Sequence, residues 1–156
     1  MSMLCKCGHV MSDKIVPNKV IYWTYTKENW FQRVKFVKGE YPKWEYPVIE
    51  FLAIRNCEKC NRLHYIRNGK KHVYVIDSKK LDDINCSCKE AFAKGELEEY
   101  FSMNDFELDE IDAKIRKNES YELPRRVRFC HECKRIFVQK GDVLKIYCLE
   151  ELKELT

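Results

Sequence analysis

Short alternating runs of apolar residues, interrupted by three stretches of helical spacing, dominate the chain. Lys19-Val-Ile-Tyr-Trp-Thr-Tyr25 reads as a strand rich in aromatic and β-branched residues. Thr26 follows as an N-cap for a helix that buries Trp30, Phe31, Val34 and Val37. Pro47 to Ile54 reads as a second strand leading into Cys57. Leu63 and Tyr65 then begin a hairpin that turns at Asn68-Gly69, a strong signal between alternating apolar residues. After a polar stretch, residues 89–101 place Ala93, Leu97, Tyr100 and Phe101 on one predicted helical face. Another helix is expected from Asn104 or Asp105, with Leu108, Ile111 and Ile115 inward. Arg126-Val-Arg-Phe129 reads as a strand into Cys130, and Ile136 and Val138 open a second hairpin turning at Lys140-Gly141-Asp142.

Eight of the nine cysteines punctuate this pattern in pairs. Cys5 and Cys7, and again Cys86 and Cys88, form C-x-C; Cys57 and Cys60, and again Cys130 and Cys133, form C-x-x-C. Each pair presents two sulfurs from one tight turn, so a C-x-C and a distant C-x-x-C together complete a tetrahedral four-thiolate site. Aligning Cys57 with Cys130 exposes a repeat: Arg62 lies over Arg135, Leu63 over Ile136, and Val73-Tyr74 over Ile146-Tyr147. The expected architecture is α+β. It has two tandem zinc-ribbon-like modules on a duplicated C-x-C…C-x-x-C frame, each with a β-hairpin and inserted helices. The modules would occupy residues 1–77 and 86–156, with 78–85 as linker, and their inserts would have diverged.

A half of fewer than eighty residues has a marginal hydrophobic core, which a metal can supplement. The N-terminal residues show no basic segment followed by an apolar one, and no apolar run is long enough to span a bilayer. A cytoplasmic chain with reduced thiols is expected, which favours metal over the competing disulfide framework. The simplest ligand assignment gives two structural Zn2+ ions, one on Cys5, Cys7, Cys57 and Cys60, the other on Cys86, Cys88, Cys130 and Cys133. Cross-pairing between halves is the alternative. Four thiolates leave no open coordination position, which argues against a metalloenzyme. His9 and His64 lie near thiol pairs but are surplus to these sets, His131 sits inside its knuckle, and Cys148 is expected as a small buried hydrophobe. No P-loop, dinucleotide glycine run, nucleophile elbow or H-E-x-x-H occurs, so no enzymatic role is expected.

Charge is unevenly spread within a net of +4. Residues 1–77 carry fourteen Lys and Arg against seven Asp and Glu, whereas residues 86–124 carry five against eleven. Two partner surfaces are suggested: the aromatic loop with Tyr41, Trp44 and Tyr46, and the acidic run with Glu98, Glu99, Glu107, Asp109 and Glu110. Arg126 and Arg128, alternating on one strand face, are candidates for phosphate contact.

Cys5-Lys-Cys-Gly8 and Cys57-Glu-Lys-Cys-Asn-Arg-Leu-His-Tyr65 resemble the C-x-C-G and C-x-x-C-x-R-L-Y segments of small bacterial immunity-type proteins associated with polymorphic or contact-dependent toxins. His64 stands where that pattern has Tyr. The resemblance implies a protein that binds and neutralises a cognate toxin domain, with structural cysteines. A protein-binding module is therefore the leading expectation. A nucleic-acid-binding zinc-ribbon protein is the alternative, and no membrane association is expected.

Overall fold

The computed structural model describes residues 3–12, 18–42, 44–45 and 48–155. Tyr46 and Pro47, part of the expected aromatic loop and strand, lie outside them. Ten strands and three α-helices are described. Strands β1 (Met3–Leu4) and β2 (Val10–Met11) pair with each other alone. The other eight are β3 (Ile21–Thr26), β4 (Leu52–Asn56), β5 (Leu63–Arg67), β6 (Lys70–Ile76), β7 (Glu98–Met103), β8 (Arg126–Cys130), β9 (Arg135–Lys140) and β10 (Val143–Glu154). They close one antiparallel barrel in the order β3-β4-β5-β6-β10-β9-β8-β7. The tandem zinc-ribbon-like architecture is thereby corrected. Each half supplies four strands to one closed sheet, because β3 pairs with β7 and β6 with β10.

Alternate residues fill the barrel, as closure requires. Ile54, Leu63, Tyr65, Tyr74, Tyr100, Val127, Phe129, Ile136 and Tyr147 form its buried interior. Helices α1 (Lys27–Val37) and α3 (Asp105–Arg116) pack outside β3 and β7 around Tyr25, Trp30, Met103, Ile111 and Ile115. Thr26 caps α1 by accepting a hydrogen bond from the Asn29 N–H at 3.1 Å. Asn104 and Glu107 form a capping box on α3, each side chain accepting from the other's backbone N–H at 3.0 Å. Arg33 of α1 and Asp112 of α3 form a bidentate pair that ties the helices together.

The helix expected over 89–101 is replaced by two elements. Helix α2 (Cys88–Lys94) stops at Gly95, whose φ of 69° supplies the left-handed cap. Strand β7 then follows, with Tyr100 and Ser102 facing in and Phe101 and Met103 facing the helices. This reveals a fuller repeat than the cysteines alone suggest. Strand, helix and strand occur in both halves (β3-α1-β4 and β7-α3-β8), and each is followed by a knuckle and a hairpin. In the first hairpin Asn68 and Gly69 both have positive φ, the type I′ signature, whereas in the second only Gly141 does.

The register shows an approximate twofold axis across the barrel. A shift of 73 positions carries Cys57 to Cys130 and Val75 to Cys148, and Val75 is the register partner of Cys148. On the opposite wall, Thr24 and Ser102 each precede a helix cap by two residues and are also register partners. Their hydroxyls hydrogen-bond at 2.9 Å in full burial. Equivalent residues thus meet each other on the axis at both walls.

Candidate metal centres and the two barrel mouths

Each half brings its four cysteines together as the repeat order predicts. Cys5, Cys7, Cys57 and Cys60 form one cluster and Cys86, Cys88, Cys130 and Cys133 the other, with the sulfurs of each cluster all within 4.8 Å of one another. No cross-paired set is found among the described residues. The short contacts join C-x-C to C-x-x-C: Cys5 to Cys60 at 3.4 Å, Cys7 to Cys57 at 3.5 Å, Cys86 to Cys130 at 3.8 Å and Cys88 to Cys133 at 3.5 Å. Tetrahedral thiolates about 2.3 Å from a central ion lie about 3.8 Å apart, so the geometry fits a metal. All nine cysteines are free thiols, and these separations exceed the about 2.05 Å of a disulfide.

The local chain explains the convergence. Cys5 and Cys7 lie on the turn between β1 and β2, where Gly8 adopts a φ of 92° and donates its N–H to the Cys5 carbonyl at 2.9 Å. Cys88 instead opens α2 and donates its N–H to the Cys86 sulfur at 3.5 Å. In the C-x-x-C knuckles, Asn61 and Lys134 hold equivalent left-handed conformations with φ of 65° and 57°. Electrostatics divides the thiols. Burial pushes Cys5 up to about 12 and also raises Cys57 and Cys88. Burial opposes ionisation of Cys60 too, but hydrogen bonds from the Arg62 N–H and guanidinium prevail and bring it down to about 6.

The recurring arginines have a shared task. Arg62 donates to Glu150 at 3.0 Å, and Arg135 donates to Asp77 at 2.8 Å. Glu150 is the repeat equivalent of Asp77. Each arginine therefore links the knuckle of its own half to the other half, Arg62 to β10 and Arg135 to the residue just after β6, so the two salt bridges cross between halves. Only the arginines stand out in the sequence; the acids recur at the same offset but in unlike surroundings. His64 is fully buried on the outer face of β5, with neither ring nitrogen hydrogen-bonded among the described residues, and burial pushes it down to about 4. Its repeat equivalent is Phe137, also fully buried.

The expected acidic patch is dispersed. Glu98 faces into the barrel end, and Glu99 pairs with Arg126 and Arg128 across the sheet. Glu107 belongs to the α3 capping box and also binds Arg125 at 3.0 Å. Asp109 and Glu110 are exposed on α3, where Glu110 pairs with Lys114. In the aromatic loop, Trp44 is 84% exposed and Tyr41 half-buried.

The barrel ends, which the sequence did not single out, differ sharply. At one end Glu98 accepts from Tyr100, Arg67 and His131, and His72 stacks on Tyr65 with ring centroids 4.5 Å apart. That end is plugged. Burial disfavours the charge on Glu98, but these three donors outweigh it and hold the carboxyl below its ordinary range. At the other end lies a cavity of about 300 Å³, with Tyr22, Tyr147, Arg125, Lys140 and Lys145 among its lining residues.

A family model described as a domain of unknown function (DUF8617) matches residues 1–78, half of the chain and one copy of its repeat. No curated protein matches the chain. No solved structure matches it either.

Proposed function

We propose a role for this chain as a member of the DUF8617 family, to which it belongs: a zinc-stapled binding module, without enzymatic activity, whose partner is another protein. The observation that carries this reading is the concentration of exposed apolar side chains on α1 and the segment joining it to β4. Trp44 and Val48 are 84% and 86% exposed, and Phe31, Phe36 and Phe51 are exposed with them. Solvent-facing aromatic and aliphatic groups gathered on one segment mark protein contact surfaces. The four-thiolate sets favour zinc among the available ions, because soft tetrahedral sulfur donors suit it and leave no position for substrate. Bound zinc would hold the knuckles in place and supply no reactive ligand. Free thiols fit a reducing, cytoplasmic setting. No described helix is long and apolar enough to cross a membrane.

Within this reading, the resemblance in the cysteine segments supports a cognate toxin domain as the partner. The test is titration calorimetry of the zinc-loaded protein against the product of the adjacent gene, with Trp44→Ser and Val48→Ser alongside the unaltered chain. A complex weakened at least about a hundredfold by the paired substitutions is expected, in line with hot-spot energetics. No complex, or one indifferent to both substitutions, would refute the assignment. Nucleic-acid binding has weaker support, because Arg62, Arg126, Arg128 and Arg135 are all engaged by carboxylates of this same chain.

A further inference from the structure

The two barrel ends are related by the approximate twofold, so any difference between them is a departure from a shared plan. Under the shift of 73 positions, Lys140 corresponds to Arg67, Lys145 to His72, Arg125 to Leu52 and Asn56 to Phe129. Counting instead from the helix caps Thr26 and Asn104, Tyr22 corresponds to Tyr100 and Val20 to Glu98. The plugged end therefore owns the carboxylate that neutralises its arginine. At the open end the equivalent Val20 is packed with the first cysteine cluster, so among the described residues that mouth has no such carboxylate and more cations.

Those cations are partly prearranged. Arg125 lies over the Tyr22 ring with its guanidinium carbon 4.6 Å from the centroid, and both its terminal nitrogens bind Glu107, at 3.0 and 3.3 Å. Lys140 reaches the same carboxylate at 4.0 Å. Lys145 has no ion-pair partner among the described residues. Two of the three rim cations thus share one carboxylate, and the third has none. Deeper, Ile54, Leu63, Val127 and Val138 make an apolar floor, and Tyr147 adds an aromatic wall. Asn56 and Asn61 contribute amides that can both donate and accept.

We propose that this open mouth binds a small phosphate ester of mononucleotide size, its phosphate held at Arg125, Lys140 and Lys145 and its planar ring in the aromatic and apolar interior. An apolar cavity with a few convergent polar groups is the usual form of a ligand site, and about 300 Å³ suits a compact ligand. A guanidinium and two ammonium groups suit a dianionic phosphate, with the arginine held in a fixed orientation. The site is separate from the exposed surface assigned to a protein partner, so either assignment can fail alone.

The experiment is titration calorimetry of the full zinc-loaded chain with adenosine 5′-monophosphate, uridine 5′-monophosphate, adenosine, inorganic phosphate and a short single-stranded oligonucleotide. Lys140→Glu/Lys145→Glu serves as the variant; both lysines are exposed, and unchanged circular dichroism and metal content will verify its fold. At least one monophosphate is expected to bind with a Kd of about 1 mM or tighter. Adenosine and inorganic phosphate should each bind at least tenfold more weakly, and the double variant should lose at least tenfold. Absence of binding by both monophosphates, equal affinity for adenosine, or an unaffected double variant would each overturn the proposal. So would an oligonucleotide bound a hundredfold more tightly through the same lysines, which would make the occupant a polymer.

Discussion

Around Cys5 and Cys7 the chain makes a two-stranded hairpin, whereas around Cys86 and Cys88 it makes a helix backed by a cluster of rings and branched side chains. The first cluster is surrounded by Met11, Val20 and Ile21, with Met3, Trp23 and Ala53 at its margin. The second is surrounded by Ile84, Phe137 and Ile146, with Leu81, Phe92, Leu97 and Leu144 at its margin. Phe92 and Phe137 pack with ring centroids 5.3 Å apart. The same sulfur geometry is thus embedded in unequal amounts of apolar contact. Where a lobe cannot bury enough surface, its folding depends more heavily on metal. The first lobe should therefore be the more metal-dependent of the two.

The largest effect should come from removing equivalent buried ligands, Cys57→Ser and Cys130→Ser. Each is expected to leave one metal equivalent by elemental analysis and to cost several kcal/mol, roughly. Amide exchange should then separate them. Cys57→Ser should open the β1–β2 hairpin and the Val20–Ile21 segment completely, whereas Cys130→Ser should leave residual protection around Ile84 and Phe92. Equal opening of both lobes would abolish the distinction.

Next come the crossed arginines. The Arg135 and Asp77 side chains are 16% and 9% exposed, against 23% for both Arg62 and Glu150. Charge-assisted hydrogen bonds gain strength with burial. Arg135→Ala should cost on the order of 1–2 kcal/mol in urea unfolding, and Arg62→Ala should cost less. The reverse order would show that burial does not rank the two bridges.

The effect that is smallest at neutral pH, and emerges only on acidification, concerns the ring beneath each knuckle, His64 in one half and Phe137 in the other. Burial lowers His64 from an ordinary 6.5 to about 4, so between those values the unfolded chain binds a proton that the folded chain refuses. Stability is then fully present above about pH 6.5 and declines as pH falls toward 4, by up to about 3 kcal/mol. His64→Phe should flatten that part of the pH–stability curve relative to the unaltered protein. Parallel curves would mean that His64 titrates normally.

What could be read in the sequence was local. The C-x-C and C-x-x-C spacings, Asn68-Gly69, the Thr26 cap, the helix start at Asn104 or Asp105 and the alternation in Arg126–Phe129 each act within a few residues, and each is found where expected. The segment from Ala93 to Phe101 misled because its apolar residues satisfy helical spacing, whereas the strand it becomes starts without alternation, with Glu98 and Glu99 adjacent and then Tyr100 and Phe101. Gly95 was the available stop signal. Barrel closure had no local signature, since β3–β7 and β6–β10 join residues more than seventy positions apart. The cationic mouth was invisible for the same reason: Tyr22, Arg125 and Lys145 come from three distant strands or strand ends.

Two seams close the barrel, and each is made of matching positions set against one another, Thr24 with Ser102 and Val75 with Cys148. A surface that complements its own copy is the defining property of an isologous dimer. A polypeptide of half this length, with one C-x-C and one C-x-x-C, would present both sheet edges such a union needs. In the present chain the segment 77–85 makes that union covalent, turning what could be a concentration-dependent association into a permanent one.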